Sequence, residues 1–391
     1  MSKAARRLAV IVLAFITAFS FFYVPNIPSH AEESGIFTYY VSGSNSVLSG
    51  ISSSAAGEIT VPETLGGYPV ITIDGAFRNK TKITSVVLPD TVTVINSNSF
   101  SYCSQLKNIR FSDNLRVIGE NAFGGCSSLQ SIQLPDTVTN VGAYAFSWCE
   151  RLVSVKLSNS MRKIERALFS GCTSLENIEI PDSVNYIAHS AFYQTKYYET
   201  SDNWEGGVLY IDSHLVTAKN TVSGLYEVKP GTKTIAENAF SVCGLLTGVI
   251  LYKEIRAVCE GAFNGCGKLT DVYYEGTVVD RGSINVGNNN NSYTNALWHY
   301  EYDPNEKEYA PGDINGDEAV NNKDALRLFK YFSGWDVEVI ESVLDVNGDK
   351  TSNNKDFIRL FQYLSGWDVK IYSKHVGAEF GGDDQGPVIV I

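Results

Sequence analysis

Charge is scarce in this chain, and basic charge is scarcer. Of 391 residues, 19% are Asp, Glu, Lys or Arg, with 31 Lys and Arg against 43 Asp and Glu. Globular domains carry about 25% charged residues, so a charge-rich coiled coil is excluded. The formal charge of −12 argues against a nucleic-acid partner, since nothing here neutralises a run of phosphates. Only two Met occur, beside 22 Tyr and 33 Gly, a balance that favours strands and turns over a helical bundle. Catalytic signatures are also missing. There is no G-x-S-x-G, no H-E-x-x-H and no Gly-rich phosphate loop.

Long apolar runs are confined to the start. Lys3, Arg6 and Arg7 precede an uncharged stretch from Leu8 to Val24, which Pro25 and Pro28 break. Ser29-His30-Ala31 then offers small residues at −3 and −1 of a cut before Glu32. Residues 1–31 are therefore expected to be a signal peptide; the small-x-small exit favours cleavage over a retained anchor. No later segment has the length of a membrane span, so the mature chain is expected to be exported and soluble.

Seven Cys would leave an exported protein at least one unpaired thiol. Their spacing says more than their number. Phe77, Phe100, Phe123, Phe146, Phe169 and Phe192 lie 23 residues apart, and Phe240 and Phe263 repeat the step. Three residues after a Phe come Cys103, Cys126, Cys149, Cys172, Cys243 and Cys266, and six after it Leu106, Leu129, Leu152, Leu175, Leu246 and Leu269. Further apolar columns follow at nine and eleven. Segments such as Leu129-Gln-Ser-Ile132-Gln-Leu134 end in the alternation of a half-buried strand. One such rung cannot bury its apolar set, whereas stacked rungs can. The Cys column reads as small buried filler, with free thiols on parallel vectors unsuited to disulfides; Cys259 lies outside it.

Runs such as LPDTVTNVGAYAFSWCERLVSVK resemble BspA-like leucine-rich repeats. The resemblance implies a solenoid over residues 32–302, caps included. The step from Phe192 to Phe240 is 48, so a rung is missing or rebuilt near 193–230, where GGVLYIDSHLVTAK reads as a hairpin turning at Asp212-Ser213. Outward strand positions (Asn108 and Arg110, Ser131 and Gln133, Ser154 and Lys156, Asn177 and Glu179, Asp271 and Tyr273) form a polar face. This face is expected to lack the stacked aromatics that a sugar ring needs. Aromatics gather instead at Tyr193, Tyr197, Tyr198, Trp204, Tyr210 and Tyr226, as hairpin packing or a ligand patch.

After a linker at 303–310, two segments 32 residues apart match: DINGDEAVNNKDALRLFKYFSGWDV and DVNGDKTSNNKDFIRLFQYLSGWDV. Each opens with oxygen ligands at EF-hand spacing. The first loop offers Asp313, Asn315, Asp317, the Ala319 carbonyl, Asn321 and Asp324; the second offers Asp345, Asn347, Asp349, the Thr351 carbonyl, Asn353 and Asp356. Two calcium ions are the expected cofactors. Position 6 is Glu318 or Lys350 in place of Gly, and a positive φ there costs on the order of 1 kcal/mol. Position 12 is Asp rather than the usual Glu. Each loop feeds a helix with an apolar stripe, Ala325, Leu328, Phe329 and Phe332, then Phe357, Leu360, Phe361 and Leu364, which predicts two buried faces that meet. Gly334 and Gly366 stand where a left-handed helix stop belongs.

Two loop-helix units without an entering helix resemble a type I dockerin, here at 311–372, with a tail at 373–391. The fold class is thus α+β multidomain, a leucine-rich-repeat solenoid followed by a small helical dockerin. The resemblance implies a cohesin module of a scaffoldin as partner. It assigns recognition to Asn322, Lys323, Phe329, Lys330 and Gly334, and to Asn354, Lys355, Phe361, Gln362 and Gly366, so cohesin would dock in two orientations. His189, His214, His299 and His375 form no recognisable acid–base set, and the segments left over are too small for a catalytic domain. The expectation is a secreted, non-catalytic cellulosome component at the bacterial cell surface. Its repeats would meet a protein, a cell surface or plant material in polysaccharide degradation. The alternatives are a structural spacer and a glycoside hydrolase with an unrecognised carboxylate pair.

Overall fold

The computed structural model describes residues 31–303, 310–340, 343–348 and 351–371. The signal peptide, the linker, Asp349 and the tail fall outside these residues, apart from Ala31 and the linker's two end residues. The chain divides into two compact units, residues up to Ser160 with Leu168–Asn177, and Met161–Ala167 with everything from Ile178 on. Both contain turns of a β-solenoid built on the 23-residue period.

In the first unit, strands Glu32–Ser34, Phe37–Ser42 and Asn45–Ile51 form an antiparallel start. Asn45–Ile51 then pairs in parallel with Tyr68–Ile73, and two-residue strands at Val94–Ile95, Val117–Ile118 and Asn140–Val141 continue the ladder. A second ladder holds Gly57–Thr60, Ile83–Val87 and Asn108–Arg110, and Ser131–Gln133 pairs with Ser154–Lys156. Ile95 faces Ile118 and Ile132 faces Val155, a register of one period. Each sequence column therefore becomes a physical column.

The consequence is clearest for the phenylalanines. Rings Phe77, Phe100, Phe123, Phe146 and Phe169 stack nearly parallel with centroids 4.6, 4.8, 5.3 and 5.7 Å apart. The first two spacings are those of neighbouring strands, so offset ring contact costs the backbone no distortion. All seven Cys are buried free thiols, yet the column is more than filler. The thiols of Cys103, Cys126, Cys149 and Cys172 donate to the carbonyls of Phe77, Phe100, Phe123 and Phe146, at 2.9, 3.1, 3.3 and 3.1 Å. Each satisfies a buried carbonyl of the preceding turn. Burial pushes the Cys126 and Cys149 thiols well above the ordinary cysteine range, which keeps these two donors protonated.

In the second unit the rebuilt rung is a hairpin. Val208–Ile211 and His214–Ala218 pair antiparallel, with Ile211 facing His214 across Asp212-Ser213, and Asp212 adopts a left-handed φ of 49°. Strand His214–Ala218 then runs parallel to Thr234–Ile235, so the insertion joins the ladder. Ala257–Val258 and Asn285–Val286 extend it. A companion ladder runs through Ser223–Glu227, Leu245–Leu251, Asp271–Tyr274 and Leu297–Tyr300. The aromatic stack outlasts the period, because Tyr293, 30 residues after Phe263, stacks on that ring at 5.0 Å. The aromatics of the insertion pack on one another. Tyr193 and Trp204 each meet Tyr198 edge-on, Tyr197 Oη donates to the Tyr210 carbonyl, and the Tyr210 and Tyr226 hydroxyls are 3.0 Å apart.

One expectation for the polar face is corrected here. Tyr273 stacks on His299 at 4.4 Å, with Tyr302 tilted against it at 4.9 Å, so this end of the face does carry stacked aromatics. The 23-residue step hid them because the last turn is lengthened, with Tyr273 facing His299.

Candidate metal centre and recognition surface

Among the described residues, the two loop-helix units repeat the same helix starts and helix ends. Helices Asn322–Phe332 and Asn354–Leu364 open on Asn321 and Asn353, each side chain accepting from the backbone N–H two residues on. Asp324 and Asp356 close reciprocal capping boxes, which stabilise both helix starts. Each Asp binds two loop amides, those of Asn315 and Asn321 at 3.0 and 2.8 Å, and those of Asn347 and Asn353 at the same distances. Helix ends match as well. Gly334 and Gly366 have φ of 78° and 79°, and Trp335 and Trp367 return their amides to the carbonyls of Lys330 and Gln362.

Carboxylates converge in the first loop. Oxygens of Asp313, Asp317 and Asp324 all lie within 4.8 Å of one another, with Asp313 and Asp324 fully buried. Asp313 accepts the amides of Asp317 and Glu318 at 3.2 and 3.0 Å, and Asn315 Oδ1 accepts that of Asp317 at 2.8 Å. Like charges this close repel, and a hard cation taking oxygen ligands resolves the repulsion; the donor set fits calcium. The exposed Lys323 ammonium lies 3.3 Å from Asp317. Glu318 has φ +68°, the left-handed position 6 expected from the loop pattern. Asn321 Oδ1 accepts the Lys323 amide as the helix cap, and its Nδ2 donates to the Ala319 carbonyl at 2.9 Å. In the second loop, Asp345, Asn347, Thr351, Asn353 and Asp356 are described and Asp349 is not.

The module has a small core of Ile314, Ala325, Leu328, Val343, Leu344, Val346, Leu360 and Ile371, with Phe332, Phe357 and Leu364 packed against it. Phe329 and Phe361 are not part of it. They are 49% and 56% exposed, which corrects the apolar stripe. Each helix meets a single partner face, so its buried sector is narrower than the stripe and the residue at its margin stays in water.

Exposure places Phe329 and Phe361 with the other residues assigned to recognition. Lys323 and Lys330 line a shallow depression with Leu326 and Arg327, and Lys355 and Gln362 line its counterpart with Ile358 and Arg359. Leu326 and Ile358 are 54% and 53% exposed. Both leucine and isoleucine, and the two arginines, were missed in the sequence. Their identical offset in the two segments was the available signal.

Two histidine–carboxylate pairs also emerge in the second unit. His189 Nδ1 lies 3.0 Å from Glu237, which also accepts from Tyr186 Oη, and His299 Nε2 lies 2.9 Å from Asp271. Both join successive turns of the ladder.

Family comparison covers most of this geometry. The model described as BspA type Leucine rich repeat region matches six copies over residues 72–199 and 225–292, and the Dockerin type I domain model matches residues 311–365. Among curated proteins no relative matches the chain. Similar solved structures include a leucine rich cell surface protein from Faecalibacterium prausnitzii A2-165, 21% identical over 66% of this chain and 97% of that one, with TM-score 0.43. A leucine rich repeat protein of T. pallidum is 24% identical over 42% of this chain and 91% of that one, with TM-score 0.35. One from Bacteroides ovatus ATCC 8483 is 21% identical over 69% and 78%, with TM-score 0.36.

Proposed function

The chain belongs to the BspA type leucine-rich-repeat family and carries a type I dockerin, and from that premise we propose a secreted component of a cellulosome-type complex. A dockerin implies cohesin binding, the repeats imply protein interaction, and both are non-catalytic modules. No helix among the described residues is long and apolar enough to cross a membrane. In this reading the protein is held by a scaffoldin cohesin outside the cell, and its repeats present a surface to a protein, a cell surface or plant material during polysaccharide breakdown.

The observation that carries the reading is the duplicated loop-helix geometry with convergent, buried carboxylates. Type I dockerins bind calcium. Here Asp313, Asn315, Asp317, the Ala319 carbonyl, Asn321 and Asp324 would hold one ion, and Asp345, Asn347, Asp349, the Thr351 carbonyl, Asn353 and Asp356 a second. Calcium, when bound, neutralises the carboxylates and ties each loop to its helix. Asn322, Lys323, Phe329 and Lys330, with Asn354, Lys355, Phe361 and Gln362, would then read the cohesin, joined by Leu326 and Ile358. So small a core depends on its ions for folding.

The test is capture of the full chain on a panel of immobilised cohesins, with calcium and with chelator. Capture by at least one cohesin is expected in calcium, and its loss in chelator. Capture unchanged by chelator, or no capture by any cohesin, overturns the reading.

A further inference from the structure

The turns between ladders contain a column that the fold does not need. Two residues after Phe77, Phe100, Phe123, Phe146 and Phe169 the chain takes a left-handed φ, +60° at Asn79 and Tyr102, +74° at Gly125, +58° at Trp148 and +78° at Gly171. Glycine meets this demand freely and a bulky aromatic does so under strain. Yet from Asn79 to Gln194 the column reads Asn, Tyr, Gly, Trp, Gly, Gln, with two bulky aromatics among residues better suited to that φ. The backbone bonds are the same at each step: the amides of Tyr102, Gly125 and Trp148 donate at 2.8 Å to the carbonyls of Gly124, Ser147 and Ser170. The aromatic side chains therefore add nothing to the turn itself.

They are placed to offer flat faces. A Cβ built on Gly171 would lie 2.8 Å from Trp148 Cδ2 and Cε3 and 3.2 Å from Cε2. Cδ2 is an interior atom of the indole, reachable only through its face, so one face covers Gly171. Tyr102 also lies against Gly125, with its ring carbons Cδ1 at 2.7 Å and Cε1 at 3.1 Å from the same construction. The rings remain 56% and 55% exposed. Each aromatic is thus supported from beneath by a glycine and open to water above, which is an unusual position for a large apolar side chain with a polar edge.

Their separation is set by the solenoid. Two turns at strand spacing put the rings roughly 10 Å apart, the advance of two sugar rings along an extended chain. In a two-fold β-1,4-linked glucan, alternate sugars present the same face, so two platforms at this spacing stack on alternate sugars of one strand. Gln105, Ser127, Ser128, Glu150 and Arg151 occupy solvent-accessible neighbouring positions in these turns, with polar groups for sugar hydroxyls. We infer that Tyr102 and Trp148 form a binding platform for an extended β-1,4-linked glucan. This deepens the ligand-presenting role proposed above and rests on it, while using a surface in the first unit, separate from the dockerin.

The fold itself supplies the test variants, because Gly125 and Gly171 already fill the same column. Trp148→Gly and Tyr102→Gly remove the rings without a new backbone demand. The full chain is run through gels containing hydroxyethyl cellulose or soluble starch, and sedimented with amorphous cellulose. Wild type should be retarded by the β-glucan and not by starch. Trp148→Gly should weaken binding at least tenfold, and the double variant should abolish it. No retardation of wild type, equal retardation by starch, or undiminished binding by the double variant overturns the inference. Should a glycine variant lose its far-UV spectrum, Trp148→Gln is compared with Trp148→Tyr, since Gln194 holds the same left-handed position at φ +59°. Tyr should retain binding and Gln lose it; equal binding overturns the inference. Cohesin capture is measured on the same samples, so capture without glucan binding sinks this inference alone.

Discussion

The solenoid and the dockerin are both repeats, but different things are repeated. In the ladder, the recurring residues are buried and apolar, and from Phe77 to Phe169 each Phe ring stacks on the next while Cys thiols bond the Phe carbonyls of the preceding turn. In the dockerin, the recurring residues are carboxylates and an exposed helix face, over a core of eight buried residues. One region is held by its own side chains. The other holds a charge problem that an ion must solve. Repetition alone therefore does not say where stability comes from; the chemistry of the repeated column does.

The strongest way to break this contrast is to empty one ring position in each region. Phe146 stacks between Phe123 and Phe169 and is fully buried. Phe146→Ala should cost about 3–5 kcal/mol, since the rings on either side hold the cavity open. Phe361→Ala, at an exposed position, should change stability by about 0.5 kcal/mol or less while weakening cohesin capture. Thermal melts of both variants in calcium check the pair. Comparable destabilisation would show that the dockerin relies on ring packing as the ladder does.

Within the ladder, the rebuilt turn is the place where pH should act. His214 begins the inserted strand, fully buried, with neither ring nitrogen hydrogen-bonded among the described residues. Burial lowers its pKa to about 4, against the opposing pull of Asp212 and Asp182 and with a small contribution from Lys233. The unfolded chain takes up this proton near pH 6.5 and the folded chain resists it until about 4. Stability is therefore complete above 6.5, falls with pH between those values, and loses nothing further below 4. Between pH 7 and 5 the loss should be about 2 kcal/mol. His214→Leu should flatten that part of the denaturant-measured profile, and an unchanged slope would refute the assignment.

Much of this contrast was legible in the residues. A period of 23 fixes register, and register fixes which residues stack, so the solenoid follows directly. The EF-hand spacing likewise placed Asp313, Asp317 and Asp324 around one point. Three things escaped for physical reasons. The Cys thiols bond backbone carbonyls, which leave no mark in composition. Tyr293 stacks 30 residues beyond Phe263, because a lengthened turn can preserve geometry while breaking the period. Phe329 and Phe361 sit at the margin of an apolar stripe, where periodicity does not distinguish a core residue from an exposed one. Tyr102 and Trp148 were visible in a column of the same period, but their meaning depends on the glycines beneath them.

The smallest effect expected lies at loop position 6, and it separates the cost of the cage from the cost of its folding. Glu318 holds φ +68° while its amide donates to Asp313 at 3.0 Å. A non-glycine residue in that conformation costs on the order of 1 kcal/mol. Because calcium binding and folding are coupled in so small a module, Glu318→Gly should release this strain and tighten apparent calcium affinity by about fivefold. The loss of one carboxylate outside the ligand set opposes this only through screened, long-range attraction. Calorimetric titration of the calcium-depleted full chain with calcium reads the change directly, and Glu318→Gln is the control that removes the charge but keeps the strain. Tightening by Gly and not by Gln supports backbone strain as the cause. Equal behaviour of the two variants would assign position 6 to electrostatics rather than to backbone strain.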